Sequence, residues 1–183
     1  MNLRLHGSPI SRAFRCIWAL EELQLDFELV PVDFANGEHL KNEFLSKNPM
    51  GKVPVLDVDG EFIFESAAIV TYLAQLKPEA NLIPAVTSLD YGKCMQWLFF
   101  GMSELEQPLW TLAKHKFALP RELRTSEIKN AAIYEWEKAA QVVDTHLNDN
   151  EYMLGERFTV ADIIVGQTLF WAQKLEGVKV DYP

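Results

Sequence analysis

The chain has 183 residues, 49% of them hydrophobic and 11% aromatic, with a formal net charge of −9 at pH 7. That composition supports one domain or two small ones around a sizeable core and excludes a disordered chain. The acidic excess is evenly spread, 7 Lys+Arg against 12 Asp+Glu in residues 1–80 and 10 against 14 in 81–183, which argues against nucleic acid or an anionic membrane surface as partner.

Two cysteines, Cys16 and Cys94, are too few for a disulfide framework and fit a reducing compartment. Without an apolar N-terminal targeting region or an apolar run of about 18 residues, the chain reads as soluble and cytoplasmic. Leu3 and Leu5 alternate with polar neighbours as in a short half-buried strand. The loop Gly7-Ser8-Pro9-Ile10 stops it. Ser11 is placed as an N-cap before a helix whose apolar face includes Phe14, Ile17, Trp18, Leu20 and Leu25. Cys16 lies inside that helix and reads as a small buried hydrophobe rather than a nucleophile. Phe27-Glu28-Leu29-Val30 is a second strand, so the opening segment is a strand–helix–strand unit with parallel strands. Ser11 then has two readings: an ordinary cap, or a hydroxyl facing the crevice where such sheets bind ligands. Gly37 to Lys47 is weakly periodic, a mixture of helix and loop.

The densest stretch runs from Asn48 to Ala74. Asn48-Pro49 and Met50-Gly51 are turn chemistry. Val53-Pro54-Val55-Leu56 reads as a strand, and the proline inside it points to a sheet edge, a strand start or a bulge. As an edge it could take a peptide-like ligand by strand addition. Asp59-Gly60 is a hairpin reversal into Phe62-Ile63-Phe64, after which Glu65-Ser66 leads directly into a helix over Ala67 to Leu76. A helix start carries unpaired N–H groups and about half a positive charge. With the Ser66 hydroxyl and the Glu65 carboxylate, the junction can grip both ends of an amino-acid zwitterion. The plainer reading, a capping serine beside a solvated glutamate, stays open on these residues alone.

V-P-V-L with F-E-S-A-A-I resembles the signature of the glutathione transferase superfamily, and the segment from Gly37-Glu38-His39 to Pro54 is most similar to its serine-type, phi-class and bacterial members. The likeness extends over nearly the whole chain. It implies a thioredoxin-like N-terminal domain of mixed sheet and helices with Pro54 in the cis form, followed by an all-helical C-terminal bundle domain. Gly7-Ser8-Pro9-Ile10-Ser11-Arg12-Ala13-Phe14-Arg15 matches G-x-P-x-S-x-A-x-R and puts the thiol-activating serine of the family on Ser11, with Ser8 as runner-up. The resemblance further implies glutathione contacts at His39, Leu40, Lys41, Lys52, Val53, Pro54, Glu65 and Ser66. Lys52 departs from the Gln usual there but keeps a donor. On residue type alone, His39 and Lys41 are equally a solvated helix face.

Lys77-Pro78 through Pro84-Ala85 reads as a linker, giving a glutathione-binding domain over 1–77, a linker over 78–87 and a helical domain over 88–183. Residues 88–118 and 121–148 read as two long helices joined near Leu119-Pro120, with Pro108 a kink in the first. Trp97, Phe100 and Trp110 are candidates for an apolar wall facing a small electrophile. Thr159 and Asp162 form a capping-box pattern ahead of an apolar helix to about Leu175, with Phe158 and Ile163 as its staple. Relatives usually continue through further helices beyond the point where this chain reaches Tyr182-Pro183, so the helical domain reads as short or cut.

The function expected is therefore conjugation of glutathione, as co-substrate and without a metal, to a hydrophobic electrophile. Detoxification and homodimerisation are implied by the family. Two rivals remain: a glutathione-dependent isomerase, dehalogenase or reductase, and a non-catalytic glutathione-fold binding module. The reductase usually carries a cysteine where Ser11 stands.

Overall fold

The computed structural model describes residues 1–178 and 180; residues 179 and 181–183, where the expected C-terminal domain limit and the Tyr182-Pro183 end fall, lie outside the described residues. The chain divides into two compact units, Met1–Ile83 and Pro84–Pro183, a division inside the proline-containing stretch 78–87.

In the first unit, β1 (Leu3–His6), α1 (Ala13–Glu22) and β2 (Glu28–Val30) form the strand–helix–strand opening, with β1 and β2 parallel. A single-turn α2 (Asn42–Leu45) follows a 3-10 turn at Glu38–Leu40. The hairpin β3 (Val55–Val58) and β4 (Glu61–Phe64) then leads into α3 (Ser66–Leu76). The sheet order is β2-β1-β3-β4, with β3 antiparallel to both neighbours. This is the thioredoxin-like arrangement. Of the three placements open to Pro54, the order excludes the sheet edge, because the strand after it is central, and leaves the strand start. Proline is tolerated because it stands just ahead of Val55, where no ladder N–H is required.

Alternation along β1 separates two faces. Leu3 and Leu5 are buried on one. On the other, Arg4 pairs with Glu28 at 2.9 Å and Asp57 at 3.6 Å, and His6 meets the edge of Phe44 at 6.4 Å. Beside His6, Val32, Phe44 and Val55 form a buried cluster against which Val53 packs.

The second unit is built from helices, with isolated β-bridges, Tyr152–Gly155 and Leu154–Arg157, in the turn between its last two. One helical run contains α4 (Leu89–Phe100), a π segment at Gly101–Leu105, α5 (Glu106–Ala113) and a second π segment at Lys114–Ala118. The irregular turn at Gly101–Leu105 precedes buried Pro108, whose ring and missing N–H are incompatible with a regular ladder four residues back. Gly101 also allows close approach: a Cβ there would stand 2.8 Å from Ile164 Cγ2. Beyond Pro120 the next long helix, α6 (Lys129–Leu147), starts later than the expected residue 121. Arg124 accounts for the delay. Its guanidinium donates to the carbonyls of Leu119 (2.7 Å), Phe117 (2.8 Å) and Lys116 (3.2 Å), folding the connection back over the helix end.

The last helix, α7 (Val160–Ala172), carries the expected capping box. Asp162 accepts from Thr159 N (2.7 Å), Thr159 Oγ1 (3.0 Å) and Met153 N (2.7 Å). Phe158 meets Tyr152 edge-on at 5.7 Å. The core of this unit includes Leu98, Leu105, Leu109, Trp136, Val143, Ile163 and Ile164. No helix among the described residues is long and apolar enough to cross a membrane.

Candidate functional site

Strand register builds the site. His6 faces Val55 across the β1–β3 ladder and Val55 faces Phe64 across β3–β4. One step beyond, Gly7, Pro54 and Glu65 leave the same end of the sheet. The Gly7–Ser11 loop, the Val53-Pro54 approach and the Glu65-Ser66 junction are thus neighbours through backbone geometry, although more than 50 residues separate first from last. Gly7 makes the crossing tight: a Cβ there would lie 2.5 Å from Ala13 Cβ and 3.6 Å from Val53 Cβ.

Ser11 stands two residues before α1, and Arg12 between them already has helical backbone angles, which leaves Ser11 in the capping place. Its Oγ accepts from Ala13 N at 3.2 Å and donates to the Ser8 carbonyl at 2.7 Å. The oxygen is therefore polarised by a helix N–H while its proton rests on a replaceable acceptor. Ser8 Oγ only accepts a long 3.5 Å bond from Ile10 N.

Val53 and Pro54 are joined by a cis peptide bond. Buried Asn48 holds the turn leading to them, donating to Lys52 O (2.8 Å) and accepting from Met50 N (3.0 Å). Gly51 has φ +60°, and a Cβ there would meet the His39 carbonyl at 2.8 Å, so the His39–Leu40 turn lies directly against this approach. His39 is half-buried and stacks on Phe34 at 4.6 Å; its buried Nδ1 makes no hydrogen bond. Leu40, Lys41 and Lys52 are exposed.

At the third segment a single residue turns strand into helix. Glu65 follows Phe64 and precedes Ser66 with φ +72° and ψ +113°, a conformation costing about 1–3 kcal/mol for a residue with a Cβ and found mainly where function requires it. The turn exposes the Glu65 carboxylate and buries Ser66 at the start of α3. No side chain caps this helix, so its first-turn N–H groups carry no bond from a capping side chain and have the geometry that suits an anion. Behind them Arg15, fully buried on α1, donates from Nη1 to Ser66 Oγ at 3.2 Å. The resulting site offers donors for one carboxylate, an acceptor for an ammonium beside it, a hydroxyl at the next loop, and cations near the far end.

Elsewhere the candidates behave differently. Burial pushes the Cys16 thiol far above its ordinary range, so it is no nucleophile. In the second unit, Trp97 meets Phe100 at 5.5 Å and His146 at 4.4 Å, while Trp110 stands half-buried further on, in α5. Among the described residues no group of three or more His, Cys, Asp or Glu side chains is placed to hold a metal ion. Arg15 and Asn48 are the contributors that residue-type reasoning passed over. Arg15 did close the G-x-P-x-S-x-A-x-R pattern, which was its only signal.

Comparison with known proteins gives matches along both units. Residues 1–75 match the family description "Glutathione S-transferase, N-terminal domain" and residues 102–183 "Glutathione S-transferase, C-terminal domain". Elongation factor 1-gamma of Prunus avium is 37% identical over 93% of this chain, which spans only 40% of that protein's length. Glutathione S-transferase PARB of Nicotiana tabacum is 34% identical over 89% of this chain and 78% of its own. Among solved structures, the glutathione transferase URE2P6 of Phanerochaete chrysosporium, in complex with oxidized glutathione, superposes with a TM-score of 0.85 at 25% identity. That match covers 96% of this chain and 82% of that one.

Proposed function

The chain belongs to the glutathione S-transferase family, and on that footing we propose that it binds glutathione at the end of its first sheet and transfers the sulfur to a small hydrophobic electrophile. The observation that carries this reading is the convergence of the Ser11 loop, Val53-Pro54 and Glu65-Ser66 at that one sheet end. In this reading the γ-glutamyl carboxylate takes the Ser66 hydroxyl and the α3 N–H groups, and Glu65 takes the ammonium. The Val53 backbone pairs with the cysteinyl unit. His39, Leu40, Lys41 and Lys52 bound the glycine end, where the two lysines meet its carboxylate.

The sulfur then lies against the Ser11 hydroxyl. A free thiol titrates near ~8.5, so only a few per cent is thiolate at neutral pH. Ser11 turns its proton from the Ser8 carbonyl to the sulfur and stabilises the anion; no deprotonated serine is needed. The thiolate attacks an electrophilic carbon, the C–S bond forms, and the leaving group departs with its electron pair while the thiol proton passes to solvent. Trp97, Phe100 and Trp110 supply apolar surface for the second substrate. Homodimerisation, a cytoplasmic location and a detoxifying role belong to the same proposal.

A second reading, a glutathione-fold module without turnover, is suggested by the likeness to a protein named elongation factor 1-gamma and not a transferase. Retention on immobilised glutathione followed by turnover of chlorodinitrobenzene separates the two. Retention with turnover supports the transferase, retention without turnover of any electrophile supports the module, and failure to bind glutathione overturns both. A chain active only with particular isomerisable or halogenated substrates would belong to the rival enzyme classes instead.

A further inference from the structure

Arg15 has no place in the chemistry so far, yet it is fully buried and donates from Nη1 to Ser66 Oγ at 3.2 Å. Its position is what makes it informative. It lies behind the N-terminus of α3, where the helix already presents positive potential. Its bond to Ser66 fixes how that hydroxyl can be used. A hydroxyl has one proton and two acceptor sites; with Nη1–H occupying one acceptor at 3.2 Å, the proton is left to donate outward, and donation into the oxygen strengthens it as a donor. α1 and α3 thereby hold one hydroxyl in one orientation.

We infer that Arg15 is the positioning residue for the α-carboxylate of the γ-glutamyl group, acting through Ser66, and so sets the preference of the site for that carboxylate. The inference rests on the glutathione reading above. It makes Arg15 a determinant of which thiol peptides are accepted, with no part in ionising the sulfur.

The test is calorimetric titration of the whole chain with S-methylglutathione and with its analogue carrying γ-aminobutyryl in place of γ-glutamyl, which lacks only the α-carboxylate. Wild type prefers S-methylglutathione. Arg15→Met is expected to cut that preference at least about tenfold, the worth of a weakened hydrogen bond to a charged group, by weakening S-methylglutathione and leaving the analogue nearly unchanged. Arg15→Lys restores part of it. Ser66→Ala, which leaves the guanidinium in place, reduces the preference as well, and combining it with Arg15→Met costs less than the two single losses together. The thiol pKa of bound glutathione stays at its wild-type value in Arg15→Met. Equal weakening of both ligands, or an unchanged preference in Ser66→Ala where Arg15→Met does not fold, overturns the inference. Failure of wild type to bind S-methylglutathione would instead remove the glutathione reading before any variant is compared.

Discussion

Ser11→Ala is the perturbation that bears most directly on the chemistry. In the protein without ligand the Ser11 proton is donated to the Ser8 carbonyl at 2.7 Å, so activating a thiolate exchanges a neutral acceptor for a charged one. Hydrogen bonds to charged groups are worth about 1.5–3 kcal/mol and ordinary ones about 0.5–1.5 kcal/mol. The net gain is about 1–1.5 kcal/mol, or about one unit of thiol pKa. Removing the hydroxyl should therefore raise the pKa of bound glutathione by about one unit. Turnover should fall about tenfold below the wild-type pKa, and the two profiles should converge at alkaline pH, where the thiol ionises unaided. The assay is the pH dependence of kcat/KM with chlorodinitrobenzene, together with the ultraviolet absorbance of the bound thiolate. The same substitution strips Ala13 N of its acceptor, at 3.2 Å, and should cost about 0.5–2 kcal/mol of stability; thermal unfolding measures that separately. A uniform loss at every pH would mean packing, not activation. A profile superimposable on wild type, with the shift appearing in Ser8→Ala, would move the role to Ser8.

Burial first, and then Lys47 and Arg4, hold the His6 pKa below its ordinary value, against opposing Asp57 and Glu28. The unfolded chain therefore binds the extra proton first, so stability is full above about pH 6.5 and falls as pH drops toward the folded pKa. His6→Phe should flatten this dependence in urea midpoints measured at neutral and mildly acidic pH; an unchanged slope refutes it. Gly101→Ala forces a Cβ to 2.8 Å from Ile164 Cγ2 and should destabilise by about 1–3 kcal/mol. Gly92→Ala, where nothing lies within 4 Å on α4, should stabilise by about 0.5–1 kcal/mol; chemical denaturation of the pair tests both signs. Asp162→Ala leaves the N–H groups of Met153 and Thr159 without their acceptor and should cost about 2–4 kcal/mol. If glutathione binding in that variant is lost while the fold persists, its purely structural role is wrong.

Features depending on near neighbours were legible in the residues themselves. Thr159 and Asp162 are three positions apart, so their capping box follows from sequence. Pro78 and Pro84 mark the stretch where the two units divide. The β1–α1–β2 opening and the hairpin at Asp59-Gly60 follow from period and turn chemistry. Pro54 is compatible with a sheet edge, a strand start or a bulge, and the structure takes the strand start, so only the edge alternative fails. Proline forbids a ladder bond only at its own N–H, and it stands one residue outside a strand that is paired on both sides. Likewise Pro120 does end one helix, but the start of the next was displaced by the Arg124 clamp, whose partners lie five to eight residues back.

By itself the amino-acid order determined the elements, the family motifs and the residue types offered to a ligand, because these depend on periodicity and on backbone preferences within a few residues. Tertiary structure alone decided that β3 is central, that Gly7, Pro54 and Glu65 leave the sheet together, and that Arg15 lies behind Ser66, 51 positions away. Strand register and helix packing are chosen by burial summed over the whole unit. No local window of sequence contains that sum.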